Sequence, residues 1–213
     1  MKIVIGNHNY SSWSLRAWLL LRQAGLAFET IRVPLYAPGF SAQIKQYHPA
    51  GKVPVLIDND QTIWDSLAIC EYLNEQYLEG SAWPVDKVSR AHARSSCAEM
   101  HSSFIALRGE MPMNCRRTIE GFQVSEAAQQ DIDRIIELWT EALTLSNSDR
   151  FLYGDFSIAD AFYAPVVFRF ASYQVELPEQ LQAYQQRLLQ LPACQEWLQL
   201  AQQESEVIEE EEV

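Results

Sequence analysis

The sequence has few residues that break regular structure, with only 8 glycines and 9 prolines among 213 residues. Together with an apolar fraction of 48%, this composition excludes a mostly disordered chain and predicts one large or two small globular domains. Long apolar runs are also lacking, because the stretch from Ala17 to Leu21 ends at Arg22, so we expect no membrane partner. The opening segment 1–6 is a short predicted strand, too soon interrupted for a signal peptide.

Cysteine motifs and hydrolase motifs are absent. Cys70, Cys97, Cys115 and Cys194 are widely separated and form no C-x-x-C pattern. This spacing predicts reduced thiols in a cytoplasmic protein and no metal site. The motif G-x-S-x-G is missing as well, so no Ser-His-Asp nucleophile is indicated.

Positive charge is scarce and negative charge is unevenly distributed. The net charge is −12; residues 1–80 carry 6 basic and 7 acidic residues, which leaves 10 basic and 21 acidic residues for the remainder. With no basic stripe to follow a phosphate backbone, nucleic acid is not an expected partner. Six acidic residues lie within residues 204–213, here called the acidic segment, and this run is typical of a frayed, solvated end.

The periodicity of apolar residues divides the chain near residue 80. Residues 1–78 alternate strand and helix in the order βαβαββα, which predicts a small α/β unit with one crossover and one hairpin. After Pro84 only helical patterns occur, at about 86–110, 125–146, 157–173, 179–190 and 193–204. We therefore predict an α/β domain over residues 1–79 and an all-α domain over residues 85–213, joined by a linker.

Two serines, Ser11 and Ser12, precede or begin the helix predicted to end at Ala24. Unpaired N–H groups and the helix dipole at such a position favour an anion, and a serine hydroxyl adds a hydrogen bond. If the anion is a thiolate, its pKa falls and it becomes a nucleophile at neutral pH. The alternative is plain N-capping.

Two further motifs can complete a cradle for a small anionic peptide. The Val53-Pro54 bond can be cis, which turns the Val53 backbone outward to pair with an extended peptide; the alternative is an ordinary turn. Ser66 and its helix start can hold a carboxylate while Asp65 holds an ammonium, although the pair could simply cap the helix. By contrast, Ser157-Ile158-Ala159-Asp160 follows the logic of a capping box, which indicates a role in folding.

Four motifs, taken in order, resemble those of soluble glutathione transferases, of the bacterial, serine type with a zeta-like N-terminal motif. They are Tyr10-Ser11-Ser12-Trp13-Ser14-Leu15-Arg16, Lys52-Val53-Pro54-Val55-Leu56, Asp65-Ser66-Leu67-Ala68-Ile69-Cys70-Glu71-Tyr72-Leu73 and Phe156-Ser157-Ile158-Ala159-Asp160. The resemblance implies a thioredoxin-like N-terminal domain, a helical C-terminal domain, glutathione as co-substrate, a homodimer and a role in detoxification.

The resemblance also implies roles for individual residues. Ser11 matches the residue that activates the glutathione thiol, with Ser12 as the alternative. Val53 and Pro54 match the backbone partner of the cysteinyl part and the cis proline, while Asp65 and Ser66 match the pair that holds the γ-glutamyl end. We expect Lys52 to reach the glycyl carboxylate.

The second substrate is expected between the domains, against the predicted helix 86–110. The candidates for this pocket are His8, Trp13, His101, Phe104, Arg108 and Met111. The resemblance favours an enzyme that conjugates the glutathione thiolate to a small electrophile. The alternatives are a cis–trans isomerase of the maleylacetoacetate isomerase type and a non-catalytic interaction protein. Trp13 stands where the zeta-class isomerases have cysteine.

Overall fold

The first part of the chain forms a four-stranded sheet with three helices. A computed structural model describes all 213 residues. The elements of this part are β1 (Lys2–Ile5), α1 (Ser12–Gln23), β2 (Glu29–Arg32), α2 (Phe40–Lys45), β3 (Val55–Asp58), β4 (Gln61–Trp64) and α3 (Ser66–Tyr77). Their order is the predicted βαβαββα, so this prediction is confirmed.

The sheet has the strand order β2-β1-β3-β4, with β1 inside it. Strand β1 pairs in parallel with β2, where Ile3 faces Thr30, and antiparallel with β3, where Ile3 faces Leu56. Strand β4 returns from β3 as a hairpin. Because β1 is interior and apolar, it is a fixed base from which the loop of residues 6–11 leads into α1.

The rest of the chain is helical. Its helices are α4 (Lys87–Ser102), α5 (Ile105–Glu110), α6 (Glu126–Ser146), α7 (Ile158–Ser172), α8 (Glu179–Leu189) and α9 (Pro192–Gln203), followed by one turn of 3-10 helix (Glu209–Glu211). None of the helices combines the length and the apolar character that crossing a membrane requires.

Helix α7 lies at the centre of the helical part, and all but one of its residues are buried. Such burial suits a sequence that is apolar on every face. Its start carries the predicted capping box: Ser157 Oγ accepts from Ala159 N at 3.2 Å, and Asp160 accepts from Ser157 N at 2.8 Å. Asp160 also accepts from Leu152 N at 3.1 Å, which ties α7 to the preceding turn.

One predicted helix is divided in the structure. The pattern over 86–110 predicted a single helix, but Phe104 adopts a left-handed conformation with φ 62° and separates α4 from α5. Arg108 donates to the carbonyls of Ser103, at 3.0 Å, and Met100. A side chain thus takes the place of the amides that an uninterrupted helix would supply to these carbonyls.

The two parts share one hydrophobic cluster of 47 buried residues, which extends from Ile3 in the sheet to Trp197 in α9. Helix α1 connects them, because it packs against both α3 and α7. The position of Ser11 at the start of α1 therefore depends on both parts.

The acidic segment is ordered and lies against the loop before α1, so the expectation of a frayed end is wrong. Both carboxylate oxygens of Glu204 accept hydrogen bonds from backbone amides of this loop, one from His8 N at 2.7 Å and one from Asn9 N at 3.1 Å. Farther along, Ile208 is buried and Glu212 accepts from Tyr10 Oη at 2.5 Å. Carboxylates thus satisfy loop amides that have no strand partner.

Candidate active site

A cleft of about 900 Å³ lies between the sheet and the helices. It is lined by Tyr10, Ser11, Ser12, Trp13, Leu35, Tyr36, Phe40, Ala50, Gly51, Lys52, Val53, Pro54, Trp64, Asp65, Ser66, His101, Arg108, Arg169 and Glu211. All seven residues predicted to activate or hold glutathione are in this set. The structure brings them together, and their individual roles remain predictions.

Ser11 is oriented by a short chain of hydrogen bonds. Its Oγ lies 2.7 Å from Ser14 Oγ, and Ser14 Oγ accepts from Gly6 N at 3.1 Å. Ser14 Oγ already accepts a hydrogen bond from Gly6 N–H, so its own hydroxyl can donate a hydrogen bond to Ser11. The Ser11 hydroxyl is then free to donate to a ligand. Ser11 occupies the N-cap position of α1 but makes no capping hydrogen bond, so the alternative of plain N-capping fails here.

The second motif enters the cleft just before β3. The Val53-Pro54 peptide bond is cis, and the ladder between β1 and β3 begins only at Val55. Lys52, Val53 and Pro54 all line the cleft. Val53 therefore lies outside the sheet ladder at the position expected of a residue that pairs with a peptide ligand.

Asp65 and Ser66 differ in how they use the start of α3. Asp65 Oδ1 caps the helix by accepting from Leu67 N at 2.9 Å and Ala68 N at 3.2 Å, so the capping alternative holds for Asp65. Its backbone has φ 74°, a conformation that costs a non-glycine residue free energy. The Ser66 hydroxyl is buried and has no hydrogen-bond partner although it lines the cleft, so it is available to a ligand.

Across the cleft, three of the six candidates for the second-substrate pocket are present. Trp13 packs edge-on against His101 with the ring centroids 5.1 Å apart, and the Arg108 guanidinium lies 5.0 Å from the Trp13 ring. His101 Nε2 is also 3.2 Å from Asp65 Oδ2, so this histidine contacts both sides of the cleft. Burial lowers the pKa of His101, and nearby Asp65 opposes this change.

Arg16 is fully buried and packs against Trp13 on the side away from the cleft. Its guanidinium is 4.3 Å from the Trp13 ring and 4.6 Å from the Phe162 ring, and none of its nitrogens has a hydrogen-bond partner. Burial lowers its pKa to about 9, helped by Arg108 and Arg169. Aromatic faces thus provide its stabilisation, and its positive charge adds to that of the cleft.

The other three candidates are not among the residues that line the cleft, so the structure does not bring them to it. His8 is buried behind the loop, with Nδ1 2.9 Å from Glu204 and its ring 4.6 Å from that of Trp197. Phe104 turns into the main hydrophobic cluster at the break between α4 and α5. Met111 is fully buried, and its carbonyl accepts from Arg169 Nε at 2.7 Å.

Two charged residues of the cleft were not predicted. Arg169 belongs to α7, and the available signal was a single arginine within a largely apolar helical sequence. Glu211 belongs to the acidic segment, which was expected to be solvated. No group of three or more His, Cys, Asp or Glu side chains is arranged to hold a metal ion.

Comparison with known proteins identifies the family. Residues 10–76 match the model of the glutathione S-transferase N-terminal domain, and residues 122–200 match that of the C-terminal domain. Glutathione S-transferase Z2 of Arabidopsis thaliana is 30% identical over 174 residues, which cover 78% of this chain and 75% of that protein. A probable maleylacetoacetate isomerase of Caenorhabditis elegans is 28% identical over 174 residues, which cover 78% of this chain and 77% of that protein.

Solved structures agree. A glutathione transferase homolog from Burkholderia, with bound glutathione, aligns with a TM-score of 0.71 and 25% identity over 94% of this chain and 97% of its own. A maleyl pyruvate isomerase, a bacterial zeta-class glutathione S-transferase, aligns with a TM-score of 0.73 and 24% identity. The alignment covers 97% of this chain and 100% of that chain. At this identity the likeness supports the fold alone. Because the models of both domains match this chain in order, the chain belongs to the glutathione S-transferase family.

Proposed function

We propose that this protein is an enzyme that conjugates the thiolate of glutathione to a small electrophilic substrate. The observation that carries the proposal is the chain Gly6 N–H, Ser14 hydroxyl, Ser11 hydroxyl at the start of α1. It supplies a hydroxyl with a free proton where the helix N-terminus favours negative charge.

Glutathione would lie along the sheet side of the cleft. Lys52 would pair with the glycyl carboxylate, and the Val53 backbone would pair with the cysteinyl unit. Asp65 would hold the γ-glutamyl ammonium, and the free Ser66 hydroxyl would donate to the γ-glutamyl carboxylate. This orientation brings the sulfur to Ser11, since the cysteine is the middle residue of the tripeptide.

In the reaction, the thiol proton leaves to solvent and Ser11 donates a hydrogen bond to the resulting thiolate. The sulfur lone pair then forms a bond to the electrophilic carbon, and the leaving group departs with its electron pair. Ser11 acts as a donor and is not itself a nucleophile, so no covalent enzyme intermediate forms. The rate gain comes from a lowered thiol pKa and from proximity.

The test is the ultraviolet absorbance of the thiolate of bound glutathione, titrated against pH. We expect a bound-thiol pKa well below that of free glutathione in the wild-type protein, and its loss in Ser11→Ala. Ser12→Ala is the matched control, because Ser12 lines the same cleft one residue later. Binding with an unchanged thiol pKa would instead support the non-catalytic interaction role.

A zeta-like isomerase is the second candidate function. The run Ser11-Ser12-Trp13-Ser14-Leu15-Arg16 and the isomerase among the relatives favour it. An assay with maleylacetoacetate separates the two functions, because isomerisation regenerates free glutathione and conjugation consumes it.

We further propose a cytoplasmic homodimer whose α/β domain covers residues 1–79 and whose helical domain covers residues 85–213. Membership of the family supports the dimer, and the sheet and helices on either side of residue 80 support the division. Sedimentation equilibrium tests the dimer, and limited proteolysis within residues 79–84 tests the boundary.

A further inference from the structure

The helical side of the cleft carries more charge than a pocket for an apolar electrophile needs. Besides the residues proposed for glutathione, the cleft is lined by Arg108, Arg169 and a single carboxylate, Glu211. These three charged side chains line the part of the cleft that is not assigned to glutathione, so their balance bears on which charge a second substrate can carry.

Arg169 is a buried cation whose hydrogen bonds go to backbone carbonyls and not to a carboxylate. Its Nε donates to Met111 O at 2.7 Å and its Nη1 to Pro165 O at 3.4 Å. Burial and nearby Arg108 together lower the pKa of Arg169 to about 10, although Glu211 opposes both effects. Glu211 lines the same cleft as Arg169 and is the carboxylate that opposes this effect of burial, so its negative charge partly offsets that of Arg169.

The position of Glu211 is fixed on both sides along the chain. Ile208 is buried just before the 3-10 turn, and Glu212 just after it accepts from Tyr10 Oη at 2.5 Å and from Asn114 Nδ2 at 2.9 Å. Of the three glutamates in the turn, Glu209 and Glu210 are exposed and only Glu211 lines the cleft. Of the three carboxylates in the turn, only that of Glu211 therefore faces the cleft, where the second substrate is expected to bind.

We propose that Glu211 is a specificity-determining residue that disfavours electrophiles carrying a negative charge next to Arg169. With Glu211 in place, Arg169 is already offset, so a substrate carboxylate would gain little from Arg169 and would be repelled by Glu211. Without the Glu211 charge, the cleft retains two arginines and attracts the same carboxylate. The inference rests on the proposed function, because the second-substrate space is defined by bound glutathione.

The test uses two glutathione conjugates that differ in charge only. S-(4-carboxy-2,6-dinitrophenyl)glutathione and its carboxamide are made chemically, and the binding of each is measured by calorimetry at pH 7.5. The proteins are wild type, Glu211→Gln and Glu210→Gln. The last is a matched control, because it removes the same charge from the adjacent, exposed residue.

In Glu211→Gln we expect the carboxylate conjugate to bind about tenfold more tightly relative to the carboxamide, as for one charge acting across a partly buried site. In Glu210→Gln we expect the ratio to stay within about twofold of the wild-type ratio, because solvent screens an exposed charge. An unchanged ratio in Glu211→Gln, or an equal change in both variants, would overturn the inference and leave the proposed function intact. If neither conjugate binds the wild-type protein, the proposed function fails and the inference fails with it.

Discussion

The two sides of the cleft are built in different ways. The sheet side consists of three short motifs within the first 66 residues, each at a helix start or a strand entrance. The helical side consists of single side chains from separate elements: His101 from α4, Arg108 from α5, Arg169 from α7 and Glu211 from the 3-10 turn. A local motif keeps its geometry through its own turn, whereas isolated side chains depend on how helices pack.

This difference predicts distinct responses to substitution. Changes on the sheet side should alter glutathione activation or affinity without loss of the fold. Changes on the helical side should act through packing or through the charge of the second-substrate space. Four measurements test whether the two sides respond in these different ways.

The largest expected effect is on the sheet side, in Ser11→Ala. We expect kcat to fall about 100-fold while the KM for glutathione stays within about threefold, because the hydroxyl acts on the charge that forms and not on binding. Ser14→Ala should lower kcat by about tenfold, since it removes only the group that orients Ser11. Steady-state kinetics with 1-chloro-2,4-dinitrobenzene measure both, and an unchanged kcat in Ser11→Ala would contradict the role.

In the helical part of the chain, which positions the helical side of the cleft, the greatest effect is expected on stability, at Asp160. Burial raises its pKa to about 6 from 3.8, and the amides of Leu152 and Ser157 only partly oppose this. A carboxyl whose pKa is raised in the folded state contributes stability below pH 3.8, and this stability is lost as the pH rises through about 6.

We therefore expect the free energy of unfolding of the wild-type protein, relative to that of Asp160→Asn, to fall by about 2 kcal/mol between pH 4 and pH 7. Urea unfolding at several pH values measures this difference. A difference that rises with pH would mean that the hydrogen bonds from Ser157 and Leu152 outweigh burial.

A smaller effect is expected at Asp65. Asparagine can still cap α3 but carries no charge, so Asp65→Asn should weaken glutathione binding about tenfold while the fold is retained. The analogue glutaryl-Cys-Gly lacks the γ-glutamyl amine and supplies the control. Calorimetry should find the same affinity for this analogue in both proteins; a tenfold loss for it too would mean that Asp65 does not act on the ammonium.

The smallest effect is expected at His101, the residue that contacts both sides. His101→Gln should raise the KM for glutathione about threefold, because it loosens Asp65 Oδ2 without removing its charge. Ser102→Ala, an exposed change at the next position of α4, should leave the KM unchanged. If His101→Gln alters only the KM of the electrophile, the two sides are independent.

The same contrast explains what could be read from the sequence. Ser11, Pro54 and Ser66 were found because each belongs to a contiguous motif whose chemistry is local. Arg169 cannot be predicted from the sequence because its helix is largely apolar. Its burial depends on the carbonyl of Pro165, one turn earlier in α7, and on that of Met111, which the packed fold brings from outside the helix. His8 is a sequence candidate for the pocket, but it is buried against Glu204, and a contact between residues 196 positions apart has no signal in the sequence.

The break at Phe104 had no signal in periodicity, since the apolar spacing continues through it. Two side chains satisfy backbone groups at this interruption: the guanidinium of Arg108 donates to carbonyls at the end of α4, and Asp131 accepts from Leu107 N at the start of α5. The ordered structure of the acidic segment cannot be predicted from the sequence either. A run of glutamates predicts a solvated segment unless unpaired amides and arginines lie close to it in the fold.

The bond between Glu204 and the loop before Ser11 also orders events during biosynthesis. The two residues whose amides it binds, His8 and Asn9, leave the ribosome 196 and 195 positions before Glu204 does. A nascent chain therefore contains every residue proposed to hold glutathione long before it contains the carboxylate that binds the loop before Ser11. The site whose residues are translated first is in this way among the last parts of the molecule to be finished.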